Sequence, residues 1–178
     1  VIALKMEYLR MAYVQEGKDV LEEKEYKQFF EDNKDWLVPY AAFCYLRDKY
    51  KTAEFGKWPL YNIFNKKEVE KLVAKDCECY EQVAFFYYVQ YQLHKQLLPV
   101  RTEARKQGVI IKGDIPIGIS RDSVEAWSEP HLFNLDGQAG APPDDFSKNG
   151  QNWGFPTYNW EAMAKEGYRW WIRRFQKM

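Results

Sequence analysis

The chain has 178 residues with 26 Lys+Arg against 26 Asp+Glu, so its formal net charge is zero. That balance argues against a nucleic-acid or anionic-membrane binder, which needs a surplus of positive charge. A hydrophobic share of 46% argues against disorder, and an aromatic share of 17% supplies either core mass or flat faces for ligands.

Ile2, Met6, Leu9 and Tyr13 follow helical spacing from the start of the chain. Residues 19–35 read as a charged helix with Phe29 and Phe30 inward, followed by a helix over 36–51 with Ala42, Tyr45 and Leu46 on its apolar face. Residues 57–62 read as a loop and 66–74 as a short helix. The longest predicted helix spans 77–106, where Tyr80, Tyr87, Tyr91, His94 and Leu98 share one face. Phe85, Phe86, Tyr88, Val89 and Leu93 cover much of the rest, so this helix is expected to be surrounded by protein, with a kink at Pro99. The aromatic stripe is read as core and His94 as a hydrogen-bonded helix histidine, because helical spacing explains both without a ligand.

Residues 1–107 hold two glycines and three prolines, and residues 108–178 hold eight and five. This shift divides a helical half, 1–107, from a loop-rich half, 108–178. After Gly108 comes the β-branched run Val109-Ile110-Ile111-Lys112-Gly113-Asp114-Ile115-Pro116-Ile117, the pattern of a parallel strand following a long helix. One helix-strand unit cannot close a sheet or barrel. Together with helical patterns running to both ends, this reads as a piece of a longer polypeptide. Asp122 to Trp127 reads as a capped helical turn, and 137–155 as a long aperiodic loop. Residues 159–175 read as a final helix, with Asn159 as N-cap and Trp160, Met163, Ala164, Trp171 and Phe175 on its buried side.

Cys44, Cys77 and Cys79 lack the spacing of a disulfide framework and have no partners for a zinc site, so they are expected to be free thiols. No metal or other cofactor is indicated. No apolar run approaches the roughly 20 residues of a membrane span, and the start has no signal-peptide layout. G-x-S-x-G, P-loop and dinucleotide fingerprints are missing, and two histidines give nucleophilic catalysis little to build on.

Chemistry concentrates in 142–156, PPDDFSKNGQNWGFP. Phe146, Trp153 and Phe155 can stack on the C–H face of a sugar ring, while Asp144, Asp145, Asn149, Gln151 and Asn152 offer hydrogen bonds to its hydroxyl rim. The same residues could equally anchor the loop to a core. Asp114, at the end of the predicted strand, stands where α/β barrels place functional groups, although a structural carboxylate reads as well there.

Four segments occur in order: Gly113-Asp114-Ile115-Pro116-Ile117, Asp122-Ser123-Val124-Glu125-Ala126-Trp127, Pro142-Pro143-Asp144 with Gly150-Gln151-Asn152-Trp153-Gly154, and Tyr168-Arg169-Trp170-Trp171. Together they resemble the 4-α-glucanotransferases (amylomaltases or disproportionating enzymes, glycoside hydrolase family 77). The runs 43–48 and 150–160 are similar to the branch of plant cytosolic disproportionating enzymes and their bacterial relatives, larger proteins with upstream starch-binding modules. The resemblance implies an α/β fold, here a partial (β/α)8 TIM-barrel segment that is mostly helical, with 1–107 a helical insertion before barrel strand 3. It implies transfer of α-1,4-glucan units between maltooligosaccharides, or to glucose, maltose or a heteroglycan, with retention through a covalent glycosyl-enzyme. Retention requires two carboxylates about 5 Å apart. By family motif order these lie downstream of Met178, so none of the aspartates here is assigned a catalytic role and the segment alone is expected to be inactive.

By motif position Asp144, Phe146, Gln151 and Trp153 would line sugar subsites, and Asp114 would stand near the site floor. Asp145 departs from the family pattern, which often has an aromatic there. The resemblance also implies a cytoplasmic protein that acts without nucleic acid or membrane, and an isolated segment prone to self-association. The competing reading is a self-standing helical carbohydrate-binding or interaction module.

Overall fold

The computed structural model describes residues 1–176; the last two residues of the expected 108–178 segment lie outside the described residues. The chain packs as two compact units, one of Val1–Thr52 with Asn65–Ile111, the other of Ala53–Phe64 with Lys112–Met178. Residues 53–64 thus leave the helical half and pack with the second unit.

The first unit is built from α1 (Ile2–Glu22), α2 (Lys24–Tyr50), α3 (Lys66–Leu72) and α4 (Tyr80–Lys106). The break between α1 and α2 falls at Glu23, whose extended backbone (φ −56°, ψ 143°) interrupts the helical ladder, and no break occurs at 35/36. α2 runs through Pro39, which removes one backbone donor, and ends at Lys51 in the left-handed region (φ 59°). Leu37, Ala41, Ala42 and Leu46 of α2 and Val83, Ala84, Phe85 and Tyr87 of α4 are almost wholly buried. Aromatic edges lock the helices together: Tyr26 on Tyr91 at 5.4 Å, Phe30 on Tyr87 at 5.2 Å and Tyr13 on Phe85 at 5.7 Å.

The core reading of the stripe therefore holds for Tyr87 and Tyr91, but the second half of α4 is not surrounded. Leu93, His94, Leu97, Leu98 and Val100 are all exposed. His94 makes no hydrogen bond among the described residues and packs its ring 5.0 Å from that of Phe29.

In the second unit, a 3₁₀ turn at Phe55–Lys57 leads to Trp58, which is buried edge-on against Trp127 at 5.7 Å. α5 (Val124–Ser128) is capped by Ser123, whose hydroxyl accepts from the Ala126 N–H. β1 (Phe133–Asn134) pairs antiparallel with β4 (Thr157–Tyr158), and β2 (Gly140–Ala141) with β3 (Gln151–Asn152). α6 (Trp160–Lys165) starts at the Asn159 cap. The chain then turns through Gly167 (φ 64°) and Tyr168 (φ 56°) into α7 (Arg169–Gln176). The core is Ile119, Ala126, Leu132, Phe133, Met163 and Trp170. The single helix expected over 159–175 is thus two, and the turn changes which side chains face inward: Met163 and Trp170 are buried, Trp171 is half-buried, and Trp160, Ala164 and Phe175 are exposed.

Two further expectations are corrected. Residues 109–116 form no strand, because no described segment offers them a ladder, and Val109, Ile110 and Ile111 are exposed. The described residues are mostly helical, with four two-residue strands. Cys77 and Cys79 are joined in a disulfide, leaving buried Cys44 as the free thiol among the described residues. The turn before α4 (Cys77 N–H to Ala74 O, 3.0 Å; Tyr80 N–H to Cys77 O, 2.8 Å) brings the two side chains together. No helix among the described residues is long and apolar enough to cross a membrane.

Candidate functional site

The stretch 137–155, expected to be an aperiodic loop, is a β-hairpin. The pairs Gly140–Asn152 and Ala141–Gln151 form its ladder, extended by Trp153 N–H to Ala139 O (2.9 Å) and Ala139 N–H to Phe155 O (2.8 Å). Gly140 is required in this arm, because any Cβ there would collide with the Gln151 carbonyl oxygen.

The tip is held by its own polar groups. Asp144 Oδ1 accepts from the N–H groups of Phe146 (2.9 Å) and Ser147 (2.7 Å), while the Asp144 N–H donates to Ser147 O at 3.1 Å. Ser147 Oγ donates to Gly150 O at 2.6 Å. These bonds fix a rigid turn of the Asx type and leave Phe146 97% exposed at its apex.

On the returning arm, Trp153 stacks on Phe155 (5.8 Å, 26° between planes) and keeps 44% of its surface exposed. Its indole Nε1–H donates to Gln151 Oε1 at 3.0 Å, which fixes both side chains. Asn152 reaches back to Gln138 Oε1 at 2.5 Å and accepts from the Gly154 N–H at 2.8 Å.

The root of the hairpin is clamped by groups that the sequence reading passed over. The Arg121 guanidinium donates to Gly137 O at 2.7 Å, and Asn134 Nδ2 donates to Thr157 Oγ1 at 3.0 Å. The Tyr158 hydroxyl donates to Ile117 O at 3.2 Å, and burial pushes this phenol's pKa up, keeping it a donor. Gly118 lies so close beneath the Phe155 ring that no Cβ fits between them. Glycine inside Ile117-Gly118-Ile119 is the one sequence signal that could have announced this close approach.

The structure thus places Asp144, Phe146, Gln151 and Trp153 on one hairpin and ties the segment after Asp114 to its root. Asp114 itself is exposed and makes no hydrogen bond or ion pair among the described residues. No group of three or more His, Cys, Asp or Glu side chains is placed to hold a metal among the described residues. The arrangement sets aromatic faces beside amide and carboxylate groups, chemistry complementary to a ligand with apolar faces and a polar rim.

The family model described as 4-alpha-glucanotransferase, glycoside hydrolase family 77, matches residues 1–178, and the chain belongs to that family. It is 46% identical to the rice 4-alpha-glucanotransferase DPE2 over 99% of its own length and 19% of the relative's. It is 36% identical to a Chlamydia caviae 4-alpha-glucanotransferase over 98% of its length and 32% of that relative's. The chain therefore spans about a fifth to a third of the curated relatives it matches. Among solved structures, the Streptococcus agalactiae amylomaltase in complex with acarbose superposes with a TM-score of 0.79 at 30% identity, over 96% of this chain and 36% of that one. The Corynebacterium glutamicum amylomaltase shares the fold at a TM-score of 0.68 and 21% identity, over 93% of this chain and 21% of that one.

Proposed function

We propose that this chain is part of a 4-α-glucanotransferase that moves α-1,4-glucan units between maltooligosaccharides, or to glucose, maltose or a heteroglycan, with retention through a covalent glycosyl-enzyme. The observation that carries this reading is the hairpin tip, where a family member exposes Phe146 and Trp153 beside Asp144 and Gln151 on a turn held by its own hydrogen bonds. Phe146 and Trp153 supply stacking faces, and Gln151 and Asp144 supply acceptors for sugar hydroxyls. The turn engages Asp144 through Oδ1 alone, and its second oxygen is uncommitted among the described residues. Covering the sugar with such a hairpin excludes water, which favours transfer over hydrolysis.

In this reading residues 108–178 contribute barrel strand 3 and the covering loop, 1–107 are a helical insertion ahead of it, and Asp114 stands near the site floor. Residues 109–116 gain their ladder from neighbouring strands of the complete (β/α)8 barrel. The nucleophile and the acid/base carboxylate belong to parts of the protein beyond this segment, and the protein acts in the cytoplasm.

The test is maltotriose disproportionation by the full-length protein and by the 178-residue segment. Glucose and longer oligomers from the full-length protein alone support the proposal, and activity in the segment overturns the placement of the carboxylates. In the full-length enzyme, Phe146→Ala and Trp153→Ala are each expected to lower kcat/KM about 2- to 10-fold, the scale of one aromatic stacking contact. Unchanged kcat/KM in both would remove the hairpin from the sugar site.

A further inference from the structure

We propose that Cys77 and Cys79 form a reversible dithiol–disulfide site whose oxidant is a small-molecule disulfide of the glutathione class. The site lies on the turn between α3 and α4, within the first unit and independent of the glucan reading. Its Cα atoms are 5.2 Å apart, inside the range that a disulfide spans without backbone movement.

Each sulfur also has a hydrogen-bond partner suited to the reduced state. Cys79 Sγ lies 3.1 Å from Leu72 O, the last carbonyl of α3, which has no partner further along that helix. Cys77 Sγ lies 3.3 Å from the Cys79 N–H and accepts from it. The backbone of the turn serves both states, so reduction needs only a side-chain rotation that parts the two sulfurs and exchanges the S–S bond for a thiol–carbonyl bond. A pair that needs no backbone movement interconverts readily, and this separates it from Cys44, which is buried alone, its thiol pKa pushed up by burial.

Access orders the two steps. Cys77 is partly exposed, whereas Cys79 is buried at the N-terminus of the 27-residue α4, where the positive end of the helix stabilises a thiolate. The Cys77 thiolate attacks one sulfur of glutathione disulfide. That S–S bond breaks, one glutathione leaves as a thiolate that takes up a proton, and Cys77 carries the other as a mixed disulfide. The Cys79 thiolate then attacks the Cys77 sulfur and expels the second glutathione. In total the protein gives up two electrons and two protons, and glutathione disulfide is reduced to two thiols. The consequence is local: oxidation removes the S–H donor that faces Leu72 O at the end of α3, and reduction restores it.

The test equilibrates the full-length protein in glutathione mixtures running from fully reduced to fully oxidised. Thiols are then trapped with an alkylating reagent, and the peptide carrying both cysteines is weighed. The expected result is a single transition from a doubly alkylated peptide to an unalkylated one that is two hydrogens lighter, reversed by dithiothreitol, with Cys44 labelled only after unfolding. Cys79→Ser is expected to accumulate a glutathione adduct on Cys77. Cys77→Ser, the milder change because its side chain is partly exposed, is expected to abolish the transition while retaining the wild-type circular dichroism spectrum. Double alkylation in every mixture, resistance to dithiothreitol, or a stable glutathione adduct in the unmutated protein would each overturn the proposal.

Discussion

Gly150 has a φ of +72° where the hairpin tip turns back into β3, and a Cβ on it would come 2.6 Å from Ala141 O. Both facts act in the same direction, since an L-residue pays about 1–2 kcal/mol for left-handed backbone before any clash. Gly150→Ala is therefore expected to raise the opened population of the hairpin roughly 5- to 30-fold. Trypsin cleavage after exposed Lys148 in the full-length protein reports that population, and an unchanged rate of nicking would mean the tip is held by contacts other than its backbone. At this scale the sequence was informative about residue type and silent about geometry. The mixture of Asp144, Phe146, Gln151 and Trp153 was legible as aromatic faces among amide and carboxylate groups, and the structure gathers these four on one hairpin. The groups that hold it, Arg121 on Gly137 O and Gly118 beneath Phe155, act across 16 and 37 residues and leave no local pattern to read. Asp144 shows the two kinds of role meeting in one side chain, since the carboxylate proposed to face a sugar is also the acceptor that shapes the turn.

Between elements, the first unit is joined by phenol–carboxylate hydrogen bonds running from α4 to the α1–α2 arm: Tyr88 to Glu16, and Tyr91 to Glu23 at 3.0 Å; Tyr13 of α1 donates to Glu81 of α4, also at 3.0 Å. Burial first, and then the neighbouring carboxylate, push the pKa values of Tyr88 and Tyr91 each up to about 12 from the ordinary 10.0. Below pH 10 these phenols are protonated in both folded and unfolded chains, and their full contribution to stability is present. Between pH 10 and 12 the unfolded chain releases its protons while the folded one retains them, so stability falls across that window. Far-UV circular dichroism during alkaline titration is expected to show helix loss there, with a smaller pH-dependent loss in the Tyr88→Phe/Tyr91→Phe variant. Helicity unchanged through pH 12 would show that these phenols are not coupled to the packing. Helix existence was legible because periodicity is local, but helix boundaries were not. The joint at Glu23 carries no Gly or Pro, while the Pro39 that ordinarily marks a break lies inside α2. The hairpin was missed for a related reason: its strands are two residues long, too short for alternation to register.

At the level of the whole molecule, tertiary partners decide what no segment carries by itself. Residues 57–62 read as a loop within the helical half, yet residues 53–64 belong to the second unit, with Trp58 against Trp127 and the Trp127 indole N–H on Tyr61 O at 2.8 Å. The run Val109–Ile111 shows the reverse case, a strong strand pattern that forms no strand because a ladder needs a second segment. Its three apolar side chains are exposed on a segment without a strand ladder, and Ile110 keeps 86% of its surface. Ile2, Leu4, Tyr8, Met11 and Val14 of α1 and Leu93, Leu97 and Val100 of α4 add further exposed apolar surface. A monomer in water rarely tolerates so much, and an unpaired β-branched run is a template for pairing with another copy. The 178-residue chain expressed alone is therefore expected to self-associate in a concentration-dependent way, read by sedimentation velocity. Ile110→Lys places a charge on the unpaired run and should shift the distribution toward monomer, because a lysine on an open edge opposes strand addition. In the full-length protein, whose relatives are three to five times longer, the same substitution is expected to destabilise the fold, since there the run would lie between neighbouring strands. A monomeric segment, or a full-length protein indifferent to Ile110→Lys, would mean that this run is a surface feature and not an unfinished part of a sheet.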